Sequence, residues 1–221
     1  KYTKSKAADF AIGDLFRRML LMQQSEHFEP TKEFWAFRNI NFEIKKGESV
    51  GVVGRNGSGK TTLMRVLAQL QRPDEGSVEV NGHVQSMINA KAGFNPKLSG
   101  EDNVRNAAAI RGLNPKYLSQ FMEQILEFAD IGRFRSAPVG TYSSGMSARL
   151  GFAVCTHLNP DLIIIDEALA VGDQAFKNKC LFKLEELKRE GVSMILVSHS
   201  MNQIAQFCQR AIWINDGALV S

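Results

Sequence analysis

GRNGSGKTT occupies residues 54–62, between the apolar run SVGVV (49–53) and LMRVL (63–67), whose apolar spacing is helical. It matches G-x4-G-K-[ST] in the strand-to-helix context that gives this pattern its meaning. Glycines at 54, 57 and 59 let the backbone bend until successive N–H groups face inward, and the positive end of the following helix adds to the field. The expected product is a cradle, built by Gly54, Asn56, Gly57, Ser58 and Gly59, for the phosphates of ATP or GTP. Lys60 would reach the β and γ phosphates as a point charge. Thr61 would offer its hydroxyl to Mg2+, and Thr62 would donate near the α phosphate.

Outward from the loop, LIIID (162–166) and SMILVS (193–198) are, like SVGVV, nearly continuous apolar runs. Such runs suit strands buried on both faces of a parallel sheet. QAFKNKCLFKLEELKRE (174–190) repeats apolar residues at Phe176, Cys180, Leu184 and Leu187, which predicts a helix with one core-facing stripe. Strand, helix, strand order implies an α/β sandwich. WAFRNINFEI (35–44) alternates and runs into KKGE, and SVEVNG (77–82) has the same character, so both are expected to form antiparallel strands. Residues of about 89–157 show helical patterns without a convincing buried strand and read as a helical insertion.

The 221 residues are 44% apolar, enough for a real core. Cys155, Cys180 and Cys208 lie far apart in apolar stretches and match no metal or redox spacing, so reduced core thiols in a cytoplasmic setting are expected. No apolar run reaches the roughly 18–20 residues that span a bilayer, and the N-terminus lacks a signal-peptide layout. Residues 1–72 carry thirteen Lys/Arg against seven Asp/Glu, and the remainder fourteen against sixteen. The basic excess has no interleaved aromatics of the kind single-strand nucleic-acid readers use, so phosphate and a membrane surface are expected rather than nucleic acid.

Two further stretches narrow the chemistry. LIIIDE (162–167) delivers two carboxylates at the end of a buried strand, where ligands sit in open α/β sheets. Asp166 would hold Mg2+ and Glu167 would act as general base toward the attacking water. YSSGMSARLGFA (142–153) places small polar residues and a glycine before an apolar helix, a second helix start able to donate to an anion.

Together these residues resemble the nucleotide-binding subunit of ABC transporters, and the resemblance covers essentially the whole chain. It implies a RecA-like P-loop NTPase core (1–88 and 158–221) with an antiparallel β subdomain and a helical signature subdomain at about 89–157. It also implies a homodimer sandwiching two ATP, in which Ser143 and Gly145 of one copy contact the γ-phosphate held by the other. The signature departs from the usual LSGGQ: Tyr142 stands for leucine, Ser144 for glycine and Met146 for glutamine. By the same resemblance Asp173, in AVGD (170–173), is a contact across the dimer. His199 in LVSHS is the switch histidine that senses γ-phosphate, and Tyr2 stacks on adenine, with Trp35 and Phe37 as the rival aromatics. The family's glutamine falls near Asn89 or Ala90, where Asn89 could ligate Mg2+ or water through its amide oxygen and Gln85 is the lesser substitute, and residues 85–100 dock a separate transmembrane permease.

YSSGMSARLGFA and DEALAVGDQAFKNKC (166–180) look like the ATPase subunits of exporters for lipid-linked polysaccharides: O-antigen, capsule and wall teichoic acid. That likeness implies a peripheral protein on the cytoplasmic face of a bacterial inner membrane. ADFAIGDLFRRMLLMQQ (8–24) reads as an amphipathic helix whose apolar face and Arg17–Arg18 pair suit a membrane-surface or gating contact by residues 10–22, with Gly13 weakening it by ~1 kcal/mol. The alternatives are an ABC exporter ATPase for another substrate, or a non-transport ABC ATPase acting on nucleic acid or ribosomes.

Overall fold

The computed structural model describes residues 35–88, 94–110, 112–166, 173–198 and 200–220. By internal packing the chain divides into two units, residues 1–35 and 36–221, and every element below belongs to the second. Among the described residues six strands form one sheet: β1 (Ser49–Gly54), β2 (Val84–Ser86), β3 (Leu162–Asp166), β4 (Ser193–Val197), β5 (Arg210–Asn215) and β6 (Ala218–Leu219). Their order is β2-β3-β4-β1-β5-β6. The first five of these run parallel, and β6 pairs antiparallel with β5.

The unbroken apolar runs follow from that topology, because side chains alternate and both faces are covered. On β3 and β4, Ile163, Ile165, Met194 and Leu196 face one cluster, while Ile164, Ile195 and Val197 face another. The first face is closed by α5 (Gln174–Arg189), whose buried residues are Phe176, Cys180, Leu184 and Leu187, the stripe its sequence announces. The second is closed by α1 (Lys60–Leu67) through Leu63, Met64 and Leu67. Each such side chain contributes about 1.5–3 kcal/mol on full burial, so the sheet's alignment is held by many of them at once.

Between β2 and β3 the described residues form helices and no strand: α2 (Gly100–Ile110), α3 (Pro115–Ala129), two 3-10 turns (Gly132–Ser136 and Val139–Thr141) and α4 (Ser144–His157). They close on their own apolar cluster, with Val104, Ile125, Leu126, Leu150 and Val154 at its centre. Local chemistry sets the ends. Asn114 accepts from the Lys116 N–H and Pro115 opens α3, while Asp130 ends it in the left-handed region at φ 50°.

The stretches 35–44 and 77–82 carry no strand ladder among the described residues. The alternation in the first survives as burial: Ile40, Phe42 and Ile44 pack on the core, and Asn41, Glu43 and Lys45 are exposed. A period of two fixes which side chains turn inward, whereas a ladder needs a neighbouring edge, and the only strand pairing that runs antiparallel among the described residues is β5 with β6.

Candidate functional site: a phosphate loop and a second helix tip

β1 ends at Gly54 and α1 begins at Lys60, so residues 55–59 must reverse the backbone within five positions. Gly57 at φ 81° and Gly59 at φ 97° lie in the left-handed region, where a Cβ is strained. Gly59 is the N-cap of α1 and has no side chain to offer, so no side chain caps the helix, and its first turn holds no acidic residue. A Cβ added to Gly57 would meet nothing among the described residues within 4 Å. An uncapped helix start with a lysine and no competing carboxylate is built for an anion.

Lys60 is only 8% exposed, and its Nζ donates to the carbonyls of Gly54 at 2.7 Å and Arg55 at 2.8 Å. The ammonium is thus held against the start of the loop whose far side is the helix N-terminus. Ser58 is 4% exposed, and its Oγ has no hydrogen-bond partner among the described residues. A buried hydroxyl of this kind inside a polar loop is the sort of group a bound polar ligand or water satisfies. Thr61 is exposed, Thr62 half-buried and Asn56 exposed.

Asp166 closes β3 opposite Val197 of β4, which in turn lies opposite Val52 of β1. With adjacent parallel strands about 4.8 Å apart, Asp166 is level with Val52 at roughly 10 Å. Two residues beyond Val52 is Gly54, so the loop and the carboxylate emerge from the same edge of the sheet. The hydroxyl of Thr61 and the carboxylate of Asp166 are hard oxygen donors, the chemistry Mg2+ requires. Gln85 sits within β2 opposite Ile163, well short of that edge, and its amide donates to the Val84 carbonyl. At the end of β4, Ser198 donates to Gln203 and accepts from the Ser200 N–H, and Ser200 caps α6 (Met201–Phe207), framing position 199. Tyr2, Asn89, Glu167, His199 and the 10–22 segment lie outside the described residues.

The second helix tip has the expected geometry. Ser143 is the N-cap of α4, and its Oγ accepts from the Met146 N–H at 3.1 Å. Ser143 and Ser144 are exposed and Gly145 is half-buried, which leaves the tip open to a second molecule. Met146 packs its side chain on the helical cluster, so the position of the missing glutamine has become part of a core.

Asp173 is engaged within its own chain. Its Oδ1 accepts from the Phe176 N–H at 2.9 Å as the N-cap of α5, and its Oδ2 pairs with Arg149 at 2.8 Å. The Phe176 N–H and the nearby Arg149 guanidinium hold its carboxyl below the usual range. Arg149 also pairs with Asp130 at 3.0 Å and lies 4.8 Å over the Phe176 ring. It therefore ties α4, the end of α3 and the start of α5 together. Sequence reasoning assigned Arg149 no role, although it is the one Asp, Glu, Lys or Arg between Arg135 and Asp161. A single charge in so long an uncharged stretch is the signal that marks it.

Burial pushes the Cys180 thiol up to about 12 and the Cys208 thiol up to about 11, which leaves both unreactive at neutral pH. None of the helices among the described residues is long and apolar enough to cross a membrane.

Comparison with known proteins agrees with this geometry. The family described as ABC transporter matches residues 37–170. Teichoic acids export ATP-binding protein TagH of Bacillus cereus is 43% identical over 98% of this chain, and its Lactococcus lactis counterpart is 48% identical over 84%. The chain spans 38% and 40% of the length of those two relatives. O-antigen export system ATP-binding protein RfbB of Klebsiella pneumoniae is 42% identical over 85% of the chain and 76% of its own length. Among solved structures, the dimeric bacterial ABC transporter cassette MJ0796 superposes with a TM-score of 0.75 at 24% identity, over 88% of this chain and 93% of that one. The same cassette in a post-hydrolysis dimer bound to ADP and Pi gives 0.73. The fold is that of an ABC ATPase cassette, and with the profile match and these identities the chain belongs to the ABC transporter family.

Proposed function

We propose that this chain is the ATP-hydrolysing motor subunit of an exporter that moves a lipid-linked polysaccharide across the bacterial cytoplasmic membrane. The observation that carries the chemistry is the uncapped, acid-free start of α1 with Lys60 behind it, on the same sheet edge as Asp166. The names of the 42–48% identical relatives support the substrate class.

In this reading the loop Gly54, Asn56, Gly57, Ser58, Gly59 and Thr62 binds and orients the triphosphate, and Lys60 turns from the Gly54 and Arg55 carbonyls toward the β and γ oxygens. Thr61, Asp166 and Asn89 hold Mg2+, which when bound neutralises charge on the β and γ phosphates. Glu167 accepts the proton of the attacking water, and His199 senses the γ-phosphate. Tyr2 stacks on the adenine. Ser143 and Gly145 donate across a homodimer to the triphosphate held by the other copy, and Asp173 supports that interface. The dimeric state of the MJ0796 cassette supports the assembly. Residues 85–100 meet a separate permease, and residues 10–22 meet the membrane surface on its cytoplasmic side.

The test is Glu167→Gln in the full-length protein. ATP binding should persist, turnover should stop, and an ATP-loaded dimer should accumulate on size exclusion; normal turnover would remove Glu167 from the base role. Copurification of a polytopic membrane protein supports the motor reading, whereas copurified RNA or DNA argues against it.

A further inference from the structure

The α4 tip does not stand alone; the chain just before it is fastened to the start of α2. The Gly140 N–H donates to the Pro96 carbonyl at 2.8 Å and the Val139 N–H to the Leu98 carbonyl at 2.9 Å. Ser99 forms an antiparallel bridge with Pro138. Tyr142, one residue before the Ser143 cap, then donates its hydroxyl to the Phe134 carbonyl at 2.6 Å while its ring packs on the helical cluster.

Phe134 lies in a turn that is itself held from two helices. Arg135 pairs with Glu101 of α2 at 2.6 Å and with Glu123 of α3 at 2.7 Å. Gly100, the first residue of α2, sits directly against the same phenol: a Cβ there would come within 2.4 Å of the Tyr142 hydroxyl, 3.1 Å of the Arg135 carbonyl and 3.4 Å of Ile131. Leucine, the family's usual residue at position 142, has no hydroxyl to reach the Phe134 carbonyl.

We propose that Tyr142 is a positioning residue: its hydroxyl bond to the Phe134 carbonyl fixes the approach of the Ser143 tip, and position 100 is glycine to leave room for that hydroxyl. The proposal rests on the reading of Ser143 as a nucleotide contact. Displacement of a contacting group by about 1 Å costs as much as 10²-fold in rate, so one well-placed tether is enough to matter. ATP binding by residues 54–62 within one copy involves neither Tyr142 nor Gly100 and is insensitive to both.

Steady-state ATPase kinetics of the full-length protein with its membrane partner test the proposal in four variants: Tyr142→Phe, Gly100→Ala, the double substitution and Ser143→Arg. Tyr142→Phe should lower kcat about 10-fold while affinity for a fluorescent ATP analogue stays within about 2-fold. Gly100→Ala should lower kcat to a similar degree, and adding Tyr142→Phe to it should bring no further loss, because both act on one contact. Parental kcat in Tyr142→Phe overturns the proposal. So does a fall in ATP affinity equal to the fall in kcat, or losses that multiply in the double variant. Ser143→Arg should abolish turnover. If it turns over normally, the nucleotide role of the tip falls and the proposal with it; if it is dead while Tyr142→Phe is normal, the tether alone is refuted.

Discussion

The Lys60 ammonium is satisfied by two carbonyls of its own loop, at 2.7 and 2.8 Å. Those bonds keep a buried charge paired and tie the helix start to the beginning of the loop. Replacing Lys60 with Ala removes a charge-assisted contact worth about 1.5–3 kcal/mol, so ATP affinity should fall by roughly 10- to 100-fold in a calorimetric titration. Unchanged affinity would detach the loop from the phosphate. The same scale shows what single residues reveal unaided: the lysine and glycines of 54–62 were legible because backbone chemistry dictates them. Arg149 and the Tyr142 hydroxyl were not, because their partners Asp173 and Phe134 are defined by packing.

Elements end where their caps say they should. Asn114 opens α3, Ser143 opens α4, Asp173 opens α5 and Ser200 opens α6, each accepting from a first-turn N–H. Lys179, on α5, caps a different helix. Its Nζ donates to the Glu127 and Phe128 carbonyls at 3.1 and 3.0 Å, at the end of α3, and lies 4.7 Å over the Phe128 ring. Lys179→Met should cost about 1–2 kcal/mol in urea denaturation, through the lost C-terminal cap and cation–π contact, with ATP affinity unchanged. A loss of affinity without loss of stability would instead place Lys179 in the site.

At the scale of the whole fold, pH acts through the buried imidazole of His157 before it reaches the carboxylates of the described residues. Burial pushes His157 down from 6.5 to about 4, with Nδ1 2.8 Å from the Ala153 carbonyl and Phe128 edge-on at 5.0 Å. Lys179, Lys183 and Glu186 are the charged groups acting on it. Folded His157 stays neutral while the unfolded chain takes up a proton below about 6.5, so stability that is whole above that pH drains away as pH falls toward about 4. The loss should approach about 3 kcal/mol by pH 4 in chemical denaturation, and His157→Phe should flatten the slope over that window. Below it Glu48, Asp102, Glu123 and Asp173 add to the loss, because Arg210, the Ser99 hydroxyl, Arg135 and the Phe176 N–H hold their carboxyls down.

The phosphate loop, the parallel strands at 49–53, 162–166 and 193–197 and the buried stripe of α5 were all readable from the sequence. Each rests on forces acting within a few residues: backbone strain, side-chain period and capping. Tertiary structure alone decided the strand order that sets Asp166 beside the loop, the fate of 35–44 as an apolar-faced segment without a ladder, and the engagement of Asp173 by Arg149. Those depend on which surfaces of different elements meet, and local periodicity carries no information about a partner outside its own element.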